Sequence, residues 1–413
     1  MLYGYVTKNL IPLFTDLYEL TMAQVYFNEG RKDRAVFNFY IRHTPNRGYF
    51  VCAGLEQLVA ALKDFVFTKE SISYLESLGR FERPFLDYLE NFRFTGSLWA
   101  VEEGEIVFEN EPLVQVEAPL IEAQIVETLL INTMQYPVLA ATKALRCVSV
   151  SKGTAVVDFG LRRAHLAQAG LISARSSYLA GFLGSSDTAA GKLFDIPLFG
   201  TMAHSFVLAH RSEEEAFEAF ARAYPNNAIF LIDTYDTISG LKKAIEVAKR
   251  LGIKLKGVRL DSGDVLSLSK KCREILDEEG FKDTMILVSG GVDEYKIKEL
   301  LESGAPVDAW GVGTKLAVSE DLPSLDCAYK LVELNGEPKM KFSPEKITLP
   351  AKKQLFRVYK EGRLHSDTLG VFDEKLDGEP MLKKIIDEGK IVYDFPSLDF
   401  IRKRLGENFE KAK

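Results

Sequence analysis

An aromatic ring, arginines, a histidine, aspartates and two glycine turns stand where short apolar runs of this chain stop. In Asp158-Phe159-Gly160-Leu161-Arg162-Arg163 a ring is followed by glycine. That leaves one ring face open to a flat heterocycle, a contact worth about 1 kcal/mol. The arginines just beyond can grip a phosphate or carboxylate with two parallel hydrogen bonds. A core phenylalanine beside two surface arginines accounts for the same residues equally well. Gly200-Thr201-Met202-Ala203-His204-Ser205 carries one of only five histidines. Its imidazole is either an acid, base or phosphate acceptor, or a satisfied structural side chain. No second histidine stands three or four residues from it, so the spacing does not propose a zinc site. Asp233-Thr234-Tyr235-Asp236 and Arg259-Leu260-Asp261-Ser262-Gly263-Asp264 bring carboxylates to two further run ends. Such groups hold Mg²⁺, an ion that prefers oxygen and shares itself with substrate phosphates, or accept hydrogen bonds from ribose hydroxyls. Asp236 and Asp264 are placed to cap helices, which leaves the deeper Asp233 and Asp261 for ligand work. Ser289-Gly290-Gly291 and Gly311-Val312-Gly313-Thr314 can close backbone N–H groups around a phosphate. Gly184-Ser185-Ser186-Asp187-Thr188 is an ordinary helix N-cap, or the polar wall of a ligand site at a helix's positive end.

These clusters need a scaffold that brings them together. The runs that precede them are 155–159, 180–184, 196–200, 229–233, 257–261, 286–290 and 309–313. They are continuously apolar rather than alternating, as strands covered on both faces are. Segments of helical spacing lie between most of them, among them 212–223, 236–251, 265–279 and 294–303. Ser212 with Glu215 reads as a capping box, and Gly252, Gly280 and Gly304 as helix stops. Parallel strands with crossover helices, carrying polar residues at their C-terminal ends, predict a β/α barrel with its site on that rim. On the N-terminal side, a helix is expected over 16–28, capped by Thr15 or Asp16, and strands over 35–41 and 49–53 around a turn at 44–48. Helix is expected onward to 91, strand and turn over 94–116, and a long helix over 122–149. Beyond 325 strands return, with Asn335-Gly336 marking a hairpin, before a charged, helix-rich tail. The expected division is an α+β domain over 1–121, the barrel over 122–325, and a segment over 326–413 that returns to the first domain.

At 413 residues, 46% hydrophobic and 27% charged, the chain has material for more than one core. Its net charge of −7 and lack of a Lys/Arg-rich tract argue against a nucleic-acid partner. Cys52, Cys147, Cys272 and Cys327 form no C-x-x-C pair and suit a reducing compartment. With no targeting pattern and no apolar run near the ~18 residues of a membrane span, the expected location is cytoplasmic, away from membranes.

Taken in order, Thr15-Asp16-Leu17-Tyr18-Glu19-Leu20-Thr21-Met22, Ala53-Gly54-Leu55-Glu56 and the Phe159, His204, Asp261 and Gly311 clusters resemble the nicotinate phosphoribosyltransferases, of the type II phosphoribosyltransferase family. The resemblance covers nearly the whole chain. It implies an α/β fold: an irregular β/α barrel plus an α+β open-faced sandwich domain built from both chain ends. It implies that nicotinate and 5-phosphoribosyl-1-diphosphate give nicotinate mononucleotide and pyrophosphate in NAD salvage, with Mg²⁺ as cofactor and coupled ATP hydrolysis. His204 matches the phosphohistidine of the family, and Phe159 the aromatic stacked on the pyridine. Tyr18 matches the opposite aromatic, supplied by the second subunit of a homodimer with shared active sites. Arg162 and Arg259 match phosphate- and ring-contacting arginines, and Asp233 and Asp261 match residues at the ribose and the metal. Ser289, Gly290, Gly311, Gly313 and Thr314 match the 5-phosphate cradle. Asp187 departs from the Asn of many nicotinate enzymes and matches the Asp that accepts a hydrogen bond from the amide in nicotinamide phosphoribosyltransferases. That residue keeps nicotinamide open as the base. A quinolinate phosphoribosyltransferase and a non-catalytic ligand sensor are further alternatives. The reading requires Phe159, His204 and Asp261 to share one cavity.

Overall fold

The computed structural model describes residues 7–45, 47–342 and 349–413. The expected turn at 44–48 includes Asn46, and the expected strand region after 325 includes 343–348; these residues lie outside the described ones. The chain divides into two compact units, one of Met1–Thr142 with Ser324–Lys413, the other of Lys143–Pro323. The division falls inside the Glu127–Val150 helix, where the sequence placed it at 121/122.

The second unit holds a five-stranded, wholly parallel sheet. Its spatial order is Ala155–Asp158, Ala309–Val312, Met285–Ser289, Gly257–Leu260, Ile229–Leu231. Val156, Val157, Ile286, Val288, Val258, Phe230 and Trp310 are buried in it. That burial explains why these runs do not alternate. Helices Thr237–Leu251, Val265–Glu278 and Glu294–Glu302 connect successive strands. Asp236, Asp264 and Asp293 cap them, each accepting a backbone N–H three residues on. Ser212 likewise caps Glu213–Ala223 through the Glu215 N–H, but Glu215 reaches back to the Arg211 N–H and leaves the box open.

Two of the seven expected strands are not regular. Around 180–184 and 196–200 the backbone makes isolated parallel bridges, Asp158 to Ser185 and Ser185 to Leu198. Leu183 donates to Val156 O at 2.8 Å, and Asp158 donates to Gly184 O at 3.0 Å. Gly181 at φ +110° breaks the extended run, and Pro197 has no N–H for a ladder. The sheet therefore continues past Ala155–Asp158 as two irregular segments.

The first unit is built on a seven-stranded antiparallel sheet. In space the strands run Glu337–Pro338, Cys327–Leu334, Arg34–Ile41, Pro112–Pro119, Ser97–Val101, Leu382–Asp387, Lys390–Ile391. Both chain ends thus supply strands to one sheet. Asn335 and Gly336 turn at φ +51° and +78°, the backbone that a two-residue hairpin needs. The tail is not helix-rich as expected: Leu382–Asp387 pairs with Ser97–Val101, and one helix, Leu398–Ala412, follows. Asp16 stands at the N-cap of Leu17–Asn28 without bonding a helix N–H; its Oδ2 lies 2.8 Å from Thr128 Oγ1. All four cysteines are free. No helix among the described residues is long and apolar enough to cross a membrane.

Candidate active site

The parallel strands all end on one side, so the residues that follow them converge there. Phe159 follows the Asp158 strand end, and its N–H donates to Val312 O at 2.8 Å. The next strand over carries Gly311, whose missing side chain leaves room for the ring: a Cβ there would stand 2.4 Å from Phe159 Cδ2. The Arg259 guanidinium carbon lies 5.4 Å from the ring centroid.

Arg259 is the hub of the polar part. Its Nε donates to Ser289 Oγ at 2.7 Å and its Nη2 to Asp261 Oδ1 at 2.7 Å. Ser289 Oγ in turn donates to the same Asp261 oxygen at 2.5 Å. Burial pushes the Asp261 carboxyl up, but the Ser289 and Arg259 bonds outweigh it and hold the group below the usual carboxylate range. Two neighbouring strand ends thus fix one anion–cation pair.

Asp233 supports this from the adjacent strand. Its Oδ2 accepts from the Asp261 N–H at 2.8 Å and the Ser262 hydroxyl at 2.7 Å. Its Oδ1 is buried without a hydrogen-bond partner and lies 4.0 Å from His204 Nε2. His204 Nδ1 pairs with Thr234 Oγ1 at 3.1 Å. The imidazole is 40% exposed, so one side remains open to a ligand.

Two adjoining cavities lie over these groups. One, of about 180 Å³, is lined by Ser289, Gly290, Gly291, Gly311, Gly313, Thr314 and Lys315. The other, of about 400 Å³, is lined by Ser186, Gly200–Ala203, His204 and Leu231. Both are also lined by Phe159, Arg162, Arg259 and Asp261. Phe159, His204 and Asp261 share the larger one, as required. Gly290 takes φ +83°, and a Cβ on it would meet Asp261 O at 2.1 Å. Only glycine lets this turn press against the Asp261 backbone. Arg162 and Arg163 sit exposed on the Leu161–Arg163 turn with no carboxylate partner among the described residues.

Asp187 and Tyr18, like Asp233, are absent from the walls of both cavities. Asp187 is buried and caps Thr188–Phe194, its Oδ1 accepting from Ala189 N at 2.9 Å and Ala190 N at 3.2 Å. Its Oδ2 is buried and unpaired. The plainer reading of that motif, an N-cap, is the one found. Tyr18 lies in the other unit, 46% exposed on the Leu17–Asn28 helix, its hydroxyl pKa pushed up by burial and by Glu127. Lys315 carried no sequence signal. It reaches the cavity because it follows the second glycine turn, and its Nζ bonds Asp293 Oδ2 at 2.8 Å.

Two family models match the chain: the nicotinate phosphoribosyltransferase N-terminal domain over residues 13–135 and the nicotinate phosphoribosyltransferase family over 154–359. The chain belongs to the nicotinate phosphoribosyltransferase family. A nicotinate phosphoribosyltransferase of Mycobacterium tuberculosis is 48% identical over 401 residues, covering 96% of this chain and 86% of that protein. That of Bacillus subtilis is 42% identical over 394 residues, covering 92% and 80%. The crystal structure of human nicotinic acid phosphoribosyltransferase matches with a TM-score of 0.86 at 27% identity, covering 97% of this chain and 94% of that one. The family's second model spans every strand end that builds the cavities.

Proposed function

We propose that this chain is a nicotinate phosphoribosyltransferase that joins nicotinate to 5-phosphoribosyl-1-diphosphate in NAD salvage. The observation that carries the reading is the convergence of Phe159, Arg259, Asp261 and Arg162 on two adjoining cavities, one of them walled by glycine turns. The ring of Phe159 offers a stacking face to the pyridine, and the Arg259 guanidinium offers charge to its carboxylate. The 5-phosphate suits the Gly290 and Gly313 turns, where backbone N–H groups and Arg162 supply donors. The five parallel strands and their two irregular neighbours are read as an irregular β/α barrel, and the seven-stranded sheet as the open-faced sandwich.

No general base is needed, because the pyridine nitrogen attacks C1 of the ribose with its own lone pair. The barrier is cleavage of the C1–O bond, which puts positive charge on the ribose and negative charge on the departing diphosphate. Asp261, kept ionised by Arg259 and Ser289, stabilises the first, and arginines the second. Asp233, with one bare buried oxygen, and Asp261 fit a Mg²⁺ that takes its remaining ligands from phosphate and water. When bound, that ion would neutralise the diphosphate.

ATP coupling through His204 is part of the proposal. Imidazole attack on the terminal phosphate of ATP forms an N–P bond and breaks the P–O bond to ADP. Thr234 fixes the ring, and the open side of His204 admits the phosphate. A homodimer, with Tyr18 of a second copy closing over the pyridine, and a cytoplasmic location complete the reading. Nicotinamide, for which Asp187 is the motive, is the alternative base; Asp187 caps a helix through Oδ1, has a bare Oδ2 and lines neither cavity.

The test is product formation with nicotinate, nicotinamide or quinolinate, with and without ATP. Nicotinate mononucleotide as the main product, stimulated by ATP, is expected; a large preference for another base sinks the proposal. His204→Ala is expected to abolish phosphate incorporation from ATP while leaving some transfer.

A further inference from the structure

Phe159 makes no ring–ring contact within its unit, and Gly311 leaves space beside it. Something must hold the ring at the angle that a stacked base needs. The backbone that follows Phe159 is held by the carboxylate of the residue before it. Asp158 is 1% exposed and lines neither cavity. Its Oδ1 accepts the Gly160 N–H at 2.7 Å, closing a turn around Phe159. Its Oδ2 accepts the Ser185 hydroxyl at 2.7 Å, and Ser185 Oγ accepts the Asp187 N–H at 3.0 Å. The Asp158 peptide is also held on both sides: its N–H donates to Gly184 O at 3.0 Å, and its C=O accepts from Ser186 N at 2.9 Å. Ser186 lines the larger cavity, and the Asp187 it precedes caps the next helix. The chain Gly160–Asp158–Ser185–Asp187 therefore links the Phe159 turn to the neighbouring Ser185–Ser186 segment of that cavity's wall.

We propose that Asp158 is a positioning residue for base binding, setting the Phe159 ring through the Gly160 N–H and registering it against the Ser185–Ser186 wall through the Ser185 hydroxyl. This rests on the transferase reading above. A carboxylate is suited to the task because it accepts from two donors in different directions at once. Alanine at this position leaves the Gly160 N–H and the Ser185 hydroxyl buried and unpaired, which frees the turn. Asparagine keeps an acceptor for Gly160 and turns its amide toward Ser185, whose oxygen can accept. The Gly290 turn stands on another strand, against Asp261, while the Gly313 turn packs beside Phe159 and Gly160, so the smaller effect on 5-phosphoribosyl-1-diphosphate rests on the Gly290 turn.

The test combines kinetics with structure. Asp158→Ala should raise KM for nicotinate about tenfold and KM for 5-phosphoribosyl-1-diphosphate less than about threefold. Asp158→Asn should recover most of that loss, and Ser185→Ala should give a smaller rise of the same selectivity. A crystal structure of Asp158→Ala should show the Phe159 ring turned from its place beside Gly311. Equal rises in both KM values, or an unmoved ring with unchanged nicotinate KM, would overturn the inference. If Asp158→Ala does not fold, Asp158→Asn and Ser185→Ala carry the same comparison. If the unmodified protein forms no nicotinate mononucleotide, the functional reading fails; the ring position in the variant structures still decides the role of Asp158.

Discussion

A Cβ on Gly311 would stand 2.4 Å from the Phe159 ring, well inside contact distance, while the Gly311 backbone itself is ordinary strand. Gly311→Ala should therefore leave the fold intact and turn the ring. Nicotinate KM is expected to rise about tenfold with little change in Tm; steady-state kinetics and a melting curve decide it. Ser289→Ala tests the other half of the site. The hydroxyl stands between the Arg259 guanidinium and Asp261, so its loss removes two hydrogen bonds to one charged pair. A fall in kcat of about a hundredfold is expected, the lower end of the loss that removing one preorganised donor causes. An unchanged kcat would show that the Arg259–Asp261 contact alone suffices. Asp158 stands apart from these groups in its protonation. Burial, only partly opposed by the Ser185 and Gly160 bonds, pushes its carboxyl up to about 6.

At the level of elements, the Leu17–Asn28 helix is tied down by a buried acid rather than by a cap. Glu19 is fully buried and accepts from the Thr128 hydroxyl at 2.5 Å and the Thr128 N–H at 3.1 Å. Burial pushes its carboxyl up to about 7, against those bonds, which lower it. The folded state then holds a proton that the unfolded chain has released above its ordinary value of 4.5. Stability from this group is full below 4.5 and lost as pH rises to about 7. Glu19→Gln removes the titration, so its Tm should fall less than that of the unmodified protein between pH 5 and pH 8, by on the order of 2–4 °C. Identical pH profiles by differential scanning calorimetry would refute it. The helix caps behave more simply. Asp236→Ala should cost about 1 kcal/mol in urea denaturation without altering nicotinate KM, because among the described residues its side chain bonds only the Ser239 N–H. The strand ends were legible because buried β-branched and aromatic runs stop at polar residues, and the caps because Asp and Ser precede helical spacing. The segments at 180–184 and 196–200 carried the same apolar signal, but Gly181 and Pro197 broke their ladders.

At the scale of the whole molecule, one unit is assembled from distant parts of the chain. Arg34–Ile41 pairs with both Pro112–Pro119 and Cys327–Leu334, and Ser97–Val101 with Leu382–Asp387. Arg357 ties the C-terminal part of the chain into this unit. Its side chain is 1% exposed, bonds Asp367 at 2.6 Å and Ile106 O at 2.7 Å, and lies 3.3 Å from Glu105. Arg357→Ala would strand buried carboxylates, so a loss of about 3–5 kcal/mol in denaturant unfolding is expected. A loss below about 1 kcal/mol would mean that water reaches the group.

The amino-acid order by itself determined the parallel core, the sites of most helix caps, the Asn335-Gly336 hairpin and the set of polar clusters at the strand ends. These are local properties, set by burial period, backbone freedom and side-chain donors within a few residues. Which clusters meet was decided only by tertiary structure. Parallel pairing put Asp158 beside Val312 and Ser289 beside Asp261, although they are far apart in the chain. The same packing sent Asp187 to a helix end and brought Lys315 to the cavity. A residue's type states what it can bond; only the register of the strands around it fixes which partner it finds.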